Sequence, residues 1–334
     1  MSRRESTLED VAARAGVSRA TASRVINGSP RVTEATRDAV ERAVEALRYT
    51  PNRAARSLAG SSSDTVALVV SEPSSRLFAD PFFAGTVRGV AAALAESRYQ
   101  LVLLSTQSDA DRGRVEHHLL RGTTDGVLLL STRADDPLPA RLAREGLPCV
   151  VAGRPADAAV GYVDADNEGG ARAAVAHLLE RGRRVIATVA GPAEMAVGVD
   201  RYEGWRAALA DAGLKPARSL VARADFTRAG GRAAAEKLLD RTADLDAVFA
   251  ASDLMALGVL DTLRAAKRKV PRDVAVVGFD DSELAESADP PLTSVRQPIE
   301  QMGHELAARL LAQLEGAEPA GVVLPTELVI RQSS

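Results

Sequence analysis

The sequence predicts two architectures in one chain: an N-terminal all-α helix-turn-helix headpiece, then an α/β body of two Rossmann-like lobes. Three observations carry this expectation. Residues 7–47 hold three short amphipathic helical patterns, the first two joined by a tight turn at Gly16. Gly60-Ser61-Ser62-Ser63-Asp64 then interrupts the chain with a polar, flexible stretch. From Val66 onward short apolar runs alternate with helical segments, which is the wiring of βαβ units and a parallel sheet.

Thr7 announces the first helix, with Asp10 three residues on as its capping-box partner and Leu8, Val11, Ala12 and Ala15 on one face. Gly16 stops it, Val17 pins the turn, and Ser18 can cap a second helix whose apolar side is Ala22, Val25 and Ile26. Helical spacing puts Arg19, Ala20, Ser23, Arg24 and Asn27 on the opposite, exposed strip. Such a strip suits a DNA major groove, because Arg can take guanine O6 and N7 bidentately, small side chains allow close approach, and hydroxyls reach phosphate. The plainer alternative is a solvated face of an ordinary three-helix start. A third helix, capped by Thr33, buries Val40, Val44 and Leu47 and closes the small core.

Beyond it, Thr50-Pro51-Asn52 reads as a turn and a possible cap. Arg53 to Leu58 reads as a helix of under two turns, too short to hold itself in water and expected to order on a partner. Leu58 with Arg53 and Arg56 beside it matches a minor-groove wedge with phosphate clamps; a linker residue packing on the next domain is the alternative. These boundaries give a headpiece over 1–50 and a hinge helix with linker over 51–63.

Charge agrees with that division. The 334 residues carry a formal −3, but residues 1–60 hold 11 Arg and 7 acidic residues, a net +4 that leaves −7 for the remainder. The basic end is where double-stranded DNA would bind. Hydrophobic content of 46% with 26% charged residues is that of a globular chain and excludes wholesale disorder. The single cysteine, Cys149, sits in an apolar run, cannot form an internal disulfide, and is expected in a buried strand. The start MSRRESTLED lacks an apolar signal region and no run approaches a membrane span, so no membrane association and a cytoplasmic location are expected.

In the body, apolar runs Val66–Val70, Leu101–Leu104, Val127–Leu130 and Cys149–Ala152 alternate with helical segments near 82–97, 112–121 and 138–145. A second series begins at Asp166: a helix to Arg181, then strands at Val185–Ala190, near Ser219–Ala222, at Ala247–Ala251 and at Val274–Phe279, with helices over 201–212, 228–241 and 253–266 between them. Ligands of open α/β sheets bind outside the carboxyl ends of the strands. Arg201, Asp253, Asp280 and Asp281 follow such strands, and carboxylates with a forked Arg donor can orient a polyhydroxylated ring. Phe82, Phe83 and Phe226 offer flat apolar faces in a chain with only 3% aromatics. Each has a plainer reading: Ser252 and Asp253 as helix caps, Asp281 as a solvated turn residue, Phe82 and Phe83 as lobe core.

The run VAARAGVSRATASRVING followed by RYTPNRAARSLAG resembles the lactose-repressor/galactose-repressor (LacI/GalR) family, headpiece and hinge helix together. The resemblance continues in order through DNEGGARAAVAHLLERG, RYEGWRAALADAGL, DAVFAASDLMALGVLDTLR, VPRDVAVVGFDDSELAESADPPLTSVRQP and LPTELVIRQSS. It implies a type I periplasmic-binding-protein body whose chain crosses between lobes three times, near 163, 292 and 322. The first lobe would then be 64–163 with 293–321, and the second 164–292 with 322–334. It implies that Arg19, Ala20 and Arg24 face bases, that Thr21, Ser23 and Asn27 support backbone contacts, and that Leu58 is the intercalating hinge leucine. For the cleft it implies Arg201, Asp253 and Asp280 as effector contacts, with Phe83 and Phe226 as the stacking pair. Two residues depart from the family pattern: Ser252 stands where Asn is usual, and Tyr202 where Leu is common.

The expected function is a homodimeric, effector-controlled transcription regulator, a repressor binding a pseudo-palindromic operator and responding to a carbohydrate; a purine-responsive corepressor type and a solute-binding protein are the alternatives. No enzyme activity and no cofactor are expected, since GxGxxG, GxxxxGK, GxSxG and HExxH are all missing from the sequence. No metal site is expected either, because His117 and His118 lie on one surface helix while His177 and His304 lie on separate helices.

Overall fold

The computed structural model describes residues 6–26, 31–47, 49 and 62–334. The chain divides into two compact units, Met1–Ser63 and Asp64–Ser334. Asn27, Asn52, Arg53, Arg56 and Leu58, and with them the expected hinge helix, lie outside the described residues.

The first unit is built as its capping signals require. Thr7 and Asp10 close a capping box at the start of helix Leu8–Ala15, with Thr7 N donating to Asp10 Oδ2 at 2.8 Å and Asp10 N to Thr7 Oγ1 at 3.2 Å. Gly16 ends that helix at φ 67°, a left-handed conformation that a side chain would resist. Ser18 Oγ accepts from Thr21 N at 3.1 Å at the start of helix Arg19–Ile26. With helix Glu34–Leu47 these enclose Val11, Ala12, Ala22, Val25, Val40 and Ala43. Ala43 takes the buried place expected for Val44, which packs at the core's margin with Leu47.

The second unit has two six-stranded sheets. The first is fully parallel, in the order β11-β5-β4-β3-β1-β2, where β1 is Thr65–Val70, β2 Gln100–Ser105, β3 Gly126–Leu130, β4 Cys149–Ala152, β5 Gly161–Ala165 and β11 Gly321–Leu324. The second runs β12-β10-β9-β8-β6-β7, with β6 Ile186–Ala190, β7 Val221–Arg223, β8 Ala247–Ala250, β9 Ala275–Asp280, β10 Thr293–Arg296 and β12 Glu327–Val329. Only β12 is antiparallel to its neighbour in that sheet. Apolar runs such as Val127–Leu130 are buried on both faces, as a parallel sheet covered by helices demands.

The crossings between lobes fall later than the sequence suggests. β5 carries the chain to Ala165 before it leaves the first sheet, β10 at Thr293–Arg296 still belongs to the second, and β11 extends to Leu324. Residues 164–165 and 322–324 therefore lie in the first lobe and 293–296 in the second. At the first two crossings the strands carry polar residues that are nonetheless buried and hydrogen-bonded, Asp164 in β5 and Ser294 in β10. Helix Ile299–Leu314, which the strand pattern alone does not place, returns to the first lobe and packs on helix Pro81–Leu94. Their contact is close enough that a Cβ on Gly89 would stand 2.0 Å from Glu300 O.

Candidate functional site

The carboxyl ends of both sheets face one cleft with about 800 Å³ of empty space, the open solvent at its mouth included. Helix Ala196–Asp211 carries Arg201 into the floor of the cleft, where the side chain is only 5% exposed. Arg201 Nε donates to Asn167 Oδ1 at 2.8 Å, and its Nη1 donates to Ala251 O at 2.7 Å and to Asp280 Oδ1 at 3.4 Å. Its guanidinium carbon lies 3.7 Å from the Phe279 ring centroid, so the fork is fixed by both hydrogen bonds and stacking. Burial lowers its pKa from the ordinary value, and the carboxylates of Asp280, Asp164, Asp253 and Asp80 raise it again, Asp280 most.

Asp280 ends β9 at φ 112°, and Phe226 stands in the loop after β7 at φ 61°. Left-handed backbone at such residues is held only when surrounding contacts insist on it, and it clusters at ligand sites. Gln297 Nε2 donates to Asp280 Oδ1 at 2.7 Å. Burial pushes the Asp280 carboxyl well above its ordinary value, Arg201 pulls it down, and Asp253 and Asp80 push it up further. Phe226 is 4% exposed; Gly191 lies against its ring, since a Cβ there would stand 2.4 Å from Cζ. Ser252 lines the cleft and also caps helix Asp253–Ala265 through Met255 N at 3.3 Å. Phe82 faces the cleft from the first lobe beside Asp80, whose Oδ1 accepts from Phe82 N at 3.0 Å.

Two expected contacts are placed elsewhere. Phe83, expected as half of the stacking pair, is 1% exposed in the first lobe's core and meets Phe82 edge-on with centroids 5.4 Å apart. Helical geometry explains this, since adjacent residues point about 100° apart and only one of the two rings can face out. Asp253 does not line the cleft. Its Oδ1 accepts from Ser294 Oγ at 2.5 Å, and its Oδ2 accepts from Ser282 N at 2.8 Å and Ser282 Oγ at 3.0 Å, which ties helix Asp253–Ala265 to the loop after β9 and to β10. Burial raises its pKa from 3.8 to about 7, against the pull of those hydrogen bonds. Asp281 is likewise structural, taken by Arg296 Nε at 2.7 Å and Arg331 Nη1 at 2.6 Å.

The structure adds residues that sequence reasoning missed. Arg76 and Asp80 reach the cleft from the first lobe, and Asp164 and Asn167 from the first crossing. Asp164 Oδ1 accepts from Asn167 Nδ2 at 2.8 Å, which orients the amide toward Arg201. Asp-Pro at 80–81 is a helix-start signal that could have revealed Asp80. At the mouth, first and second lobes touch: Ala134 N donates to Glu194 O at 2.8 Å, and Arg154 pairs with Asp200.

In the headpiece, Arg19, Ala20 and Arg24 are exposed on one strip of the second helix, with Thr21 and Ser23 half-buried beside them. Arg19 Nε pairs with Glu9 at 2.7 Å, both side chains solvated, a contact weak enough to exchange for a base or phosphate. Among the described residues no helix is long and apolar enough to cross a membrane, and no cluster of three or more His, Cys, Asp or Glu could hold a metal ion.

Comparison with known proteins agrees with both halves. Residues 7–52 match the family described as bacterial regulatory proteins, lacI family, and residues 175–334 match a periplasmic binding protein-like domain. The chain is 53% identical over 336 residues to the HTH-type transcriptional regulator CelR of Thermobifida fusca, covering 99% of each. A solved CelR–cellobiose complex shares 52% identity with a TM-score of 0.80, covering 98% of this chain and 100% of that one. The lac repressor dimer bound to operator and the anti-inducer ONPF aligns at 27% identity and a TM-score of 0.82, over 99% of both chains. Headpiece, cleft and these matches along nearly its whole length place the chain in the lacI family of bacterial regulatory proteins.

Proposed function

We propose that this regulator binds a pseudo-palindromic operator as a homodimer, inserts the second headpiece helix into the major groove, and is controlled by an uncharged disaccharide of the cellobiose type in the cleft. The observation that carries the effector reading is charge balance in the cleft wall. Arg201 is matched by Asp280, Arg154 by Asp164 and Asp200, Arg133 by Asp135 and Arg76 by Glu72, while Asp80 adds one more carboxyl and, among the described residues, no further cation faces an anion. A wall of matched pairs offers many hydrogen-bond donors and acceptors without net attraction for a phosphate or carboxylate, and Phe226 and Phe82 add apolar faces for a sugar ring. The cellobiose held by the CelR relative supports the same class. Two-fold symmetry of a dimer, as in the lac repressor dimer on its operator, supports paired half-sites.

In this reading Arg19, Ala20 and Arg24 face bases, Thr21, Ser23 and Asn27 face the DNA backbone, and Asn52, Arg53, Arg56 and Leu58 form the hinge contact. Arg201 and Asp280 hold effector hydroxyls, Phe226 and Phe82 stack on its rings, and Ser252 adds a hydroxyl contact. The protein acts in the cytoplasm without chemistry of its own. Calorimetric titration with cellobiose, glucose, ribose and purine bases tests the effector class. Saturable binding of cellobiose and not of purines is expected; saturable purine binding without cellobiose binding overturns the reading in favour of a purine-responsive regulator.

A further inference from the structure

Arg76 is the arginine of the cleft wall that is buried yet short of acceptors; Arg133, with one hydrogen bond to Asp135, is 43% exposed and solvated. Arg201 has three acceptors, and Arg154 bridges two carboxylates, but Arg76 has one hydrogen-bond partner among the described residues, Glu72, and its buried Nε meets no acceptor. Its side chain is 13% exposed. A guanidinium has five N–H donors in a planar fork, and leaving them unmatched in a buried place is expensive unless something else takes them up.

Its position shows what that could be. Arg76 sits on the short helix Ser74–Ala79 of the first lobe, yet its guanidinium carbon lies 5.2 Å from the ring centroid of Phe226 in the second lobe. It lies 5.8 Å from the ring of Phe83 in its own lobe. It therefore spans the gap between lobes beside the aromatic face against which a sugar ring would pack. Glu72 balances its charge: burial raises the Glu72 carboxyl from its ordinary value, while Arg76 and the Ser131 hydroxyl pull it back.

We propose that Arg76 is a specificity-determining residue of the cleft: its guanidinium donates to hydroxyl oxygens of a saccharide packed against Phe226, and the balancing Glu72 makes the site prefer an uncharged saccharide to an anionic one. This rests on the disaccharide reading of the cleft and adds the first lobe's contribution to it. Because the donor comes from one lobe and the stacking face from the other, the same contact makes the effector favour one arrangement of the lobes.

Calorimetry on the full chain tests this with cellobiose, its monodeoxy analogues and cellobionate as probes. Arg76→Met weakens cellobiose binding by roughly 10- to 100-fold, the loss expected for hydrogen bonds from a charged donor. Arg76→Lys recovers only part, since it keeps the charge and loses the fork. Wild type discriminates against the deoxy analogue that lacks the contacted hydroxyl, and Arg76→Met binds that analogue and cellobiose equally. Glu72→Gln leaves the Arg76 charge unbalanced and shifts preference toward cellobionate. The double variant Glu72→Gln/Arg76→Met removes the buried unpaired carboxylate and keeps the comparison usable if the single variant folds poorly. The proposal is overturned if Arg76→Met retains wild-type affinity, or if it loses affinity but discriminates among all deoxy analogues as wild type does, the mark of a packing role. Wild type that binds no cellobiose removes the effector reading itself.

Discussion

Replacing Arg201 by Met keeps an unbranched apolar stem and removes the fork, and its cost can be worked from the contacts. Asn167 Oδ1 loses a donor at 2.8 Å, Ala251 O one at 2.7 Å, and Asp280 a cation at 3.4 Å. Breaking a buried ion pair from one side costs about 3–5 kcal/mol, because the remaining charge is left without a partner. Arg201→Met should therefore lower the unfolding free energy of the body by about that amount. Asp280→Asn should cost less, about 1–2 kcal/mol, since Arg201 keeps its acceptors on Asn167 and Ala251 and the new amide keeps an acceptor for Gln297. The double variant leaves no unpaired charge, so its loss should fall short of the sum by about 1–3 kcal/mol. Urea unfolding followed by fluorescence of Trp205, the chain's single Trp and fully buried in the second lobe, reads all four proteins. All three variants should also lose the response to cellobiose. Additivity within about 0.5 kcal/mol would show that the two residues do not act on each other.

Other expected outcomes concern the headpiece, the hinge and pH. Arg24→Ala should cost roughly 1–3 kcal/mol on the operator and relax preference at one base per half-site, read by binding to operator variants; an equal loss on random DNA would make Arg24 a phosphate contact. Leu58→Ala should weaken operator binding far more than it shifts the thermal unfolding midpoint, and the reverse pattern would make Leu58 a packing residue of the linker. Burial raises the carboxyls of Asp253, Asp280, Asp80 and Asp164, so the folded body holds these protons more tightly than the unfolded chain does. Their stabilising contribution is complete below the ordinary value of 3.8 and is lost as pH rises through about 7 for Asp253. The unfolding midpoint should fall across that window, with a smaller fall in Asp253→Asn; a midpoint that rises across it contradicts the burial argument.

The headpiece is legible in the sequence because its signals are local: the Thr7–Asp10 box, the Gly16 stop and the apolar spacing all act within a few residues. Arg201 and Asp280 are legible because topology places the carboxyl ends of strands at a cleft. Asp253 follows a strand in the same manner, but its partners Ser282 and Ser294 lie 29 and 41 residues away, and nothing local shows that they claim it. Arg76 is illegible for a different reason. It sits on a six-residue helix without periodicity, and only the folding of the second lobe brings Phe226 beside it. The lobe crossings escape the sequence where polar residues such as Asp164 and Ser294 are buried inside strands and satisfied by hydrogen bonds, which hydropathy does not register.

If occupation of the cleft changes the affinity of the headpieces for DNA, titration of operator DNA with and without saturating cellobiose reads that change as a shift in midpoint. Linkage between the two sites of about 1–3 kcal/mol moves the operator midpoint roughly 5- to 150-fold in wild type, and Arg201→Met, expected to lose the proposed effector contact, should show one midpoint under both conditions. Cellobiose that binds the cleft saturably yet leaves the wild-type operator midpoint unchanged would contradict that linkage.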